Sequence, residues 1–141
     1  MLPDKRISRF MSKHHVLTLA TSSKDGLPYC AACFYAYDTL RNRIIFTTDT
    51  TTRHGQMMER NPKVACAVNL ETKVVGRVQG IQICGSVVKG DSNDKECYIK
   101  RFPYTALAPL NIWAIEPDFM KLTDNTLGFG KKLIWNRSEL Q

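Results

Sequence analysis

The chain contains no hydrophobic run long enough to cross a membrane. Its uninterrupted apolar stretches, such as Ala31-Ala32-Cys33-Phe34-Tyr35-Ala36-Tyr37, fall far short of the roughly 20 residues a spanning helix needs. The N-terminal Met1-Leu2-Pro3-Asp4-Lys5-Arg6 lacks the apolar core and small-residue cleavage site of a secretory signal, so the expected location is the cytoplasm, with no membrane partner. A paired cysteine framework is missing too. The five cysteines, at positions 30, 33, 66, 84 and 97, are an odd number set mostly in apolar runs, which suits reduced, buried thiols. Blocks of like charge are also absent. The 20 Lys and Arg against 13 Asp and Glu give a net charge of +7, and that excess attracts anions. The cations fall singly or in pairs, with no zinc-finger spacing, RRM signature or helix-turn-helix, so nucleic acid is not the expected partner.

At 141 residues, with 43% hydrophobic and 23% charged side chains, the composition is that of one globular domain over residues 1–141. Residues 4–14 predict an amphipathic helix, with Ile7, Phe10, Met11 and His14 on one stripe. Alternating strands follow over 16–21 and 29–37 across the Lys24-Asp25-Gly26 turn, and a third over 44–48. A helix is expected from about Thr50 to Asn61, stopped by Pro62. Further strands are expected over 64–68, as one long run over 74–88, and over 112–115 and 119–123 joined by a turn at Glu116-Pro117-Asp118. A third helix is expected over 91–102. The Leu127-Gly128-Phe129-Gly130 tail reads as irregular. Strands joined mostly by short turns, with three helices between them, predict a mainly β antiparallel barrel with peripheral helices.

The C-x-x-C spacing of Cys30 and Cys33 fits zinc and redox sites, but on a strand positions i and i+3 face opposite sides, so core packing is the expected role. His14-His15 has no ligating companion at helical spacing. The segment Thr47-Thr48-Asp49-Thr50-Thr51-Thr52-Arg53-His54 gathers hydroxyls, free backbone N–H groups and a guanidinium at a strand-to-helix junction, which is how a phosphate site is built. The alternative is that the threonines are strand and cap residues and Arg53 is solvated. A second candidate is Gln79-Gly80-Ile81-Gln82. Two amides in an apolar strand could pair with the polar edge of a flat ring that the glycine lets approach, or could simply face outward. No G-x-S-x-G, Walker loop or dinucleotide fingerprint is present.

With Arg53-His54-Gly55-Gln56-Met57-Met58-Glu59-Arg60-Asn61-Pro62 and the strand after it, these segments resemble the FMN-binding split barrels related to pyridoxamine 5'-phosphate oxidase. Across nearly the whole chain, Cys30 to Tyr35, Thr52-Arg53-His54, Gly80-Ile81-Gln82, Arg101-Phe102-Pro103 and Thr123 to Lys132 look like the small bacterial YhbP family. The resemblance implies a split β-barrel homodimer with FMN at the subunit interface. It implies that Arg53 binds the flavin phosphate with His54 beside it, and that Thr48 and Thr52 supply hydroxyls. Gln79 or Gln82 would meet the ring, the backbone of Cys30-Ala31-Ala32-Cys33 would run along it, and Trp113 and Lys121 would contribute from the second subunit. The chain departs from the oxidases in two places. The second strand carries no Arg or Lys, and the C-terminal Arg-x-His segment that handles pyridoxine is missing, so oxidation of pyridoxamine phosphate is not expected.

The expectation is therefore an FMN-dependent reductase or electron-transfer protein acting on a small molecule, with NAD(P)H as a candidate donor and the flavin supplying the chemistry. No side chain is singled out as a catalytic acid or base. A non-catalytic flavin or haem module is the first rival, a nucleic-acid-associated protein the second. Deazaflavin also fits a phosphate site.

Overall fold

In the structure, a computed structural model that describes residues 1–128 and 130–138, the alternating segments pair into one antiparallel sheet. Its strands are β1 (Val16–Ser22), β2 (Pro28–Asp38), β3 (Arg43–Thr47), β4 (Lys63–Asn69), β5 (Gln79–Lys89), β6 (Ile112–Asp124) and β7 (Lys132–Asn136). The order is β3-β2-β1-β4-β5-β6-β7, and pairing of β3 with β6 closes six strands into a barrel with β7 outside. This is the split β-barrel expected from the sequence. Period-two alternation sends Leu17, Leu19, Tyr35, Phe46, Ile81, Ile83 and Met120 inward, where each large apolar side chain removed from water contributes roughly 1.5–3 kcal/mol.

Two helices close opposite ends of β1. The first, α1 (Lys5–Lys13), is capped by the Asp4 carboxylate and buries Ile7, Phe10 and Met11. The Tyr35 hydroxyl donates to the Met11 carbonyl at 2.7 Å. At the other end α2 (Arg53–Arg60) buries Met58, and Asn61 Nδ2 donates to the Ser22 carbonyl at 3.1 Å. The third helix, α3 (Ser92–Arg101), packs outside, its Tyr98 joining Ala36, Ile45 and Ala114 in a second apolar cluster. Among the described residues no helix is long and apolar enough to cross a membrane.

The strand expected over 74–88 begins only at Gln79. Val75–Arg77 form a 3-10 turn with Val74, Val75 and Val78 exposed. Valine favours strands, but β4 ends at Asn69 and the Leu70 amide already pairs with the Gln79 carbonyl, so residues 74–78 have no ladder to join. The two strands expected over 112–123 are one. Glu116-Pro117-Asp118 is absorbed by a bulge, with Gly85 opposite Pro117 and Cys84 opposite Phe119. Proline is tolerated at such a point because the ladder hydrogen bond is already interrupted. Gly85 is required there, since a Cβ would run into the Glu116 carbonyl oxygen. A further strand not expected from the sequence, β7, follows the segment 127–130 read as irregular, which begins at the end of a 3-10 turn, Asn125–Leu127, and whose Phe129 lies outside the described residues.

Candidate functional site

After β3 the chain folds back on itself before α2 begins. The Asp49 carbonyl accepts from the Thr52 amide at 3.1 Å and the Thr52 hydroxyl at 2.7 Å, while the Asp49 carboxylate accepts from the Thr51 amide at 2.9 Å. The Thr52 hydroxyl in turn accepts from the Gly55 amide, capping the helix. Gly55 lets the first turn approach so closely, for a Cβ there would lie 2.5 Å from the Asp49 carbonyl oxygen. The Thr48 side chain is buried, 3.1 Å from the Thr52 hydroxyl and hydrogen-bonded to Nε2 of His54. Both threonine hydroxyls, and the imidazole, are thus spent on holding the loop. Burial pushes the His54 pKa down, so the ring is neutral near pH 7.

The amides of Arg53 and His54 remain without an acceptor among the described residues. They are the orphan donors of a helix start, where the dipole favours an anion. The Arg53 guanidinium lies over the Tyr29 ring, 4.7 Å from its centroid, which holds it at the mouth of a hollow of about 350 Å³. Lys24, from the β1–β2 turn, and Arg60, two helical turns after Arg53, line the same hollow with Ser23, Asp25 and Gln56. Three cations face one carboxylate. A second hollow on the far side of the loop is lined by Thr47, Thr48, Asp49, Leu110 and Asn111 and carries no cation. It does not suit a phosphate.

The other expected site residues are dispersed. Cys30 is exposed on the outer face and Cys33 is buried on the inner one. Their opposite orientations are those a strand imposes, and burial raises the Cys33 pKa to about 11. Ala31 faces inward opposite Leu19. Gln82 and Lys121 are cross-strand neighbours on the outer face, in one row with Ala67, Thr18 and Ala32. Gln79 sits at the α1 end, beyond the length of β1 from Arg53. Trp113 is a core residue only 3% exposed, with Lys89 Nζ 3.8 Å above its ring, so it offers no ring to a partner.

Lys24, Arg60 and Tyr29 went unnoticed in the sequence. Helical spacing from Arg53 could have found Arg60, since i and i+7 share a face. Nothing local marks Lys24, a turn residue that only the hairpin's position against α2 brings near Arg53.

Comparison with known proteins agrees with the fold. Residues 3–119 match the family described as pyridoxamine 5'-phosphate oxidase. The chain is 43% identical over 135 residues to a UPF0306 protein of Klebsiella pneumoniae (strain 342), covering 93% of this chain and 91% of that one. It is 38% identical over 135 residues to UPF0306 protein YhbP of Escherichia coli O157:H7 (strain EC4115 / EHEC), with the same coverage of 93% and 91%. Among solved structures, a pyridoxamine 5'-phosphate oxidase-related, FMN binding protein from Nostoc punctiforme PCC 73102 superposes with a TM-score of 0.68 at 12% identity, over 94% of this chain and 86% of that one. A heme binding protein from Mycobacterium smegmatis superposes with a TM-score of 0.75 at 11% identity, over 96% of this chain and 59% of that one. At such identities the likeness is one of fold.

Proposed function

This chain belongs to the pyridoxamine 5'-phosphate oxidase family, among its UPF0306 members, and from that premise we propose that it binds FMN and uses it to reduce a small molecule. The observation that carries this reading is the hollow beside α2, where Lys24, Arg53 and Arg60 converge; the open amides of Arg53 and His54 lie at the start of the same helix. A phosphate monoester needs that donor set: cations for charge, a guanidinium for bidentate bonding, and N–H groups at a helix start. Deazaflavin would meet the same donors. When bound, the flavin supplies hydride or single-electron transfer, with NAD(P)H as the candidate donor. The protein's part is to hold the phosphate and give the ring a flat place to lie. The small outward side chains of Cys30 and Ala32 leave such a place on β2.

The outer face also favours a homodimer. Rows of small residues, Cys30, Ala20, Ala65 and Cys84, then Ala32, Thr18 and Ala67, are bordered by exposed Phe34 and Val16. A second copy lying on this face would cover the apolar rim and bring Gln82 and Lys121 against a neighbour. Haem is the weaker reading although the fold carries it elsewhere, because His54 Nε2 is already engaged by Thr48. Oxidation of pyridoxamine phosphate is disfavoured, since β2 presents no cation.

Titration of the purified protein with FMN, followed by flavin fluorescence and by retention of the flavin spectrum through gel filtration, tests the site. Arg53→Ala is expected to weaken binding by at least about tenfold, the loss of one charge-assisted bond pair. Equal retention by the variant, or no retention by the native chain, would overturn the reading.

A further inference from the structure

At the other end of β1 a second concave site, about 270 Å³ in volume, opens between α1 and the sheet. One wall is helical: Arg6, Arg9 and Lys13, at i, i+3 and i+7, point along a single face. Arg6 is held by Asp4 through Nε and Nη2, both at 3.0 Å. Arg9 and Lys13 form no ion pair with any described residue. The facing wall begins at Gln79, half-buried, whose side-chain amide has no hydrogen-bond partner among the described residues. Asp124, the carboxylate on that wall, already accepts from the Thr126 amide and hydroxyl. Phe10 and Leu122 form an apolar floor.

We propose that this groove binds a small organic anion, a carboxylate or phosphate monoester carrying a planar apolar body. Arg9 and Lys13 neutralise the head group, the apolar body displaces water from Phe10 and Leu122, and the Gln79 amide pairs with a polar edge. Free cations over an apolar floor recognise both halves of such a molecule, whereas a neutral ring or a bare inorganic ion satisfies only one. Within a protomer the groove is separate from the Arg53 hollow. The seven residues of β1, Val16–Ser22, lie between them, roughly 20 Å of strand. The proposal does not depend on flavin binding.

Amide-detected NMR of the full chain, titrated with phenyl phosphate and benzoate and with benzyl alcohol as the neutral control, provides the test. Both anions are expected to give saturable shifts at Arg9, Lys13, Leu127 and the Gln79 side chain, while benzyl alcohol gives none. The R9Q/K13Q double variant, with unchanged circular dichroism, is expected to bind phenyl phosphate about tenfold more weakly or less tightly still, the loss of charge-assisted contacts. If that variant unfolds, Q79E, which adds a negative charge to the opposite wall, should weaken both anions alike. Shifts confined to Lys24, Arg53 and α2, equal binding of benzyl alcohol, or unchanged affinity in the variants would overturn the proposal. None of those results alters the Arg53→Ala outcome, which reads the other hollow.

Discussion

Asp94 has no solvent exposure and yet is a carboxylate. It accepts from Arg41 Nη2 at 2.8 Å, from Arg43 Nε at 3.0 Å and Nη2 at 2.7 Å, and from the Asp91 amide at 2.9 Å. Asp91 answers by accepting the Asp94 amide, closing a capping box at the start of α3. Removing the carboxylate costs Arg43 its bidentate partner, leaving it Glu116 at 3.5 Å, while Arg41 keeps Asp38 and Asp91, so Asp94→Ala is expected to lower the unfolding free energy by about 1.5–3 kcal/mol, measured by urea denaturation. Histidines set the pH response on the acid side of neutrality. Burial lowers the pKa of His54, and burial with the neighbouring Lys13 and His15 lowers that of His14, below the usual 6.5. The unfolded chain therefore binds more protons than the fold just below pH 6.5, and stability falls as pH drops through that value. His54→Gln should flatten the decline, read as the denaturation midpoint between pH 7.5 and pH 5.5. At lower pH, Asp4 and Asp91 act in the same direction. Their pKa values, about 2, are lowered by bonds from Arg6 and from the Asp94 amide respectively. Their contribution is present above the ordinary 3.8 and is lost on the way down to 2.

At the scale of elements, α1 joins no strand ladder and is held by its buried face and by side-chain bonds to its carbonyls. Its C-terminal carbonyls are gathered by Arg101, the last residue of α3, which donates to Ser12 and, at 2.7 Å, to His14. The arginine satisfies orphan acceptors and suits the negative end of the helix. Arg101→Ala is expected to raise hydrogen-exchange rates across α1 by tenfold or more while leaving β4 and β5 protected, because the loosened unit opens locally before the barrel does. The β6 bulge is the second joint. Arg137 donates to the Pro117 carbonyl at 2.9 Å and its amide to the Asp118 carbonyl at 2.9 Å, so β7 continues on the far side of the bend and Trp135 closes over the core.

For the whole molecule, the flat outer face is where the proposed second copy would lie. Ala65→Arg or Ala67→Arg, both outward on β4, should leave far-UV circular dichroism unchanged but shift sedimentation from dimer to monomer, because a cation replaces a methyl in what would be a close-packed seam. A wild-type monomer at micromolar concentration would remove the homodimer from the reading.

Local pattern and tertiary placement contributed different things. The i, i+3, i+4 stripe of Ile7, Phe10 and Met11, the Lys24-Asp25-Gly26 turn, the alternation in β1 to β4 and the run of threonines able to cap a helix before Arg53 are all short-range signals. The amino-acid sequence therefore specified three helices, most strands, the barrel class and family membership by itself. It also placed Arg53 and His54 at a helix start, because a cap and its first turn are consecutive residues. Other features depend on partners far along the chain. Whether a valine run is a strand depends on a neighbour to pair with, so residues 74–78 needed the end of β4 to be known. Pro117 could continue β6 only because Gly85 lay opposite. The hydroxyls of Thr48 and Thr52 were legible as donors, but only the fold showed them spent on His54 and Gly55. Gln79 and Gln82, three residues apart, lie in different surroundings, one in a groove with α1 and the other on the open sheet. Lys24 reached Arg53, and Gln79 reached Arg9 and Lys13, through contacts between distant segments, whereas Arg60 shares a helix face with Arg53. Sequence patterns encode which face a side chain takes, whereas the charges that converge on a hollow are decided by contacts between distant segments.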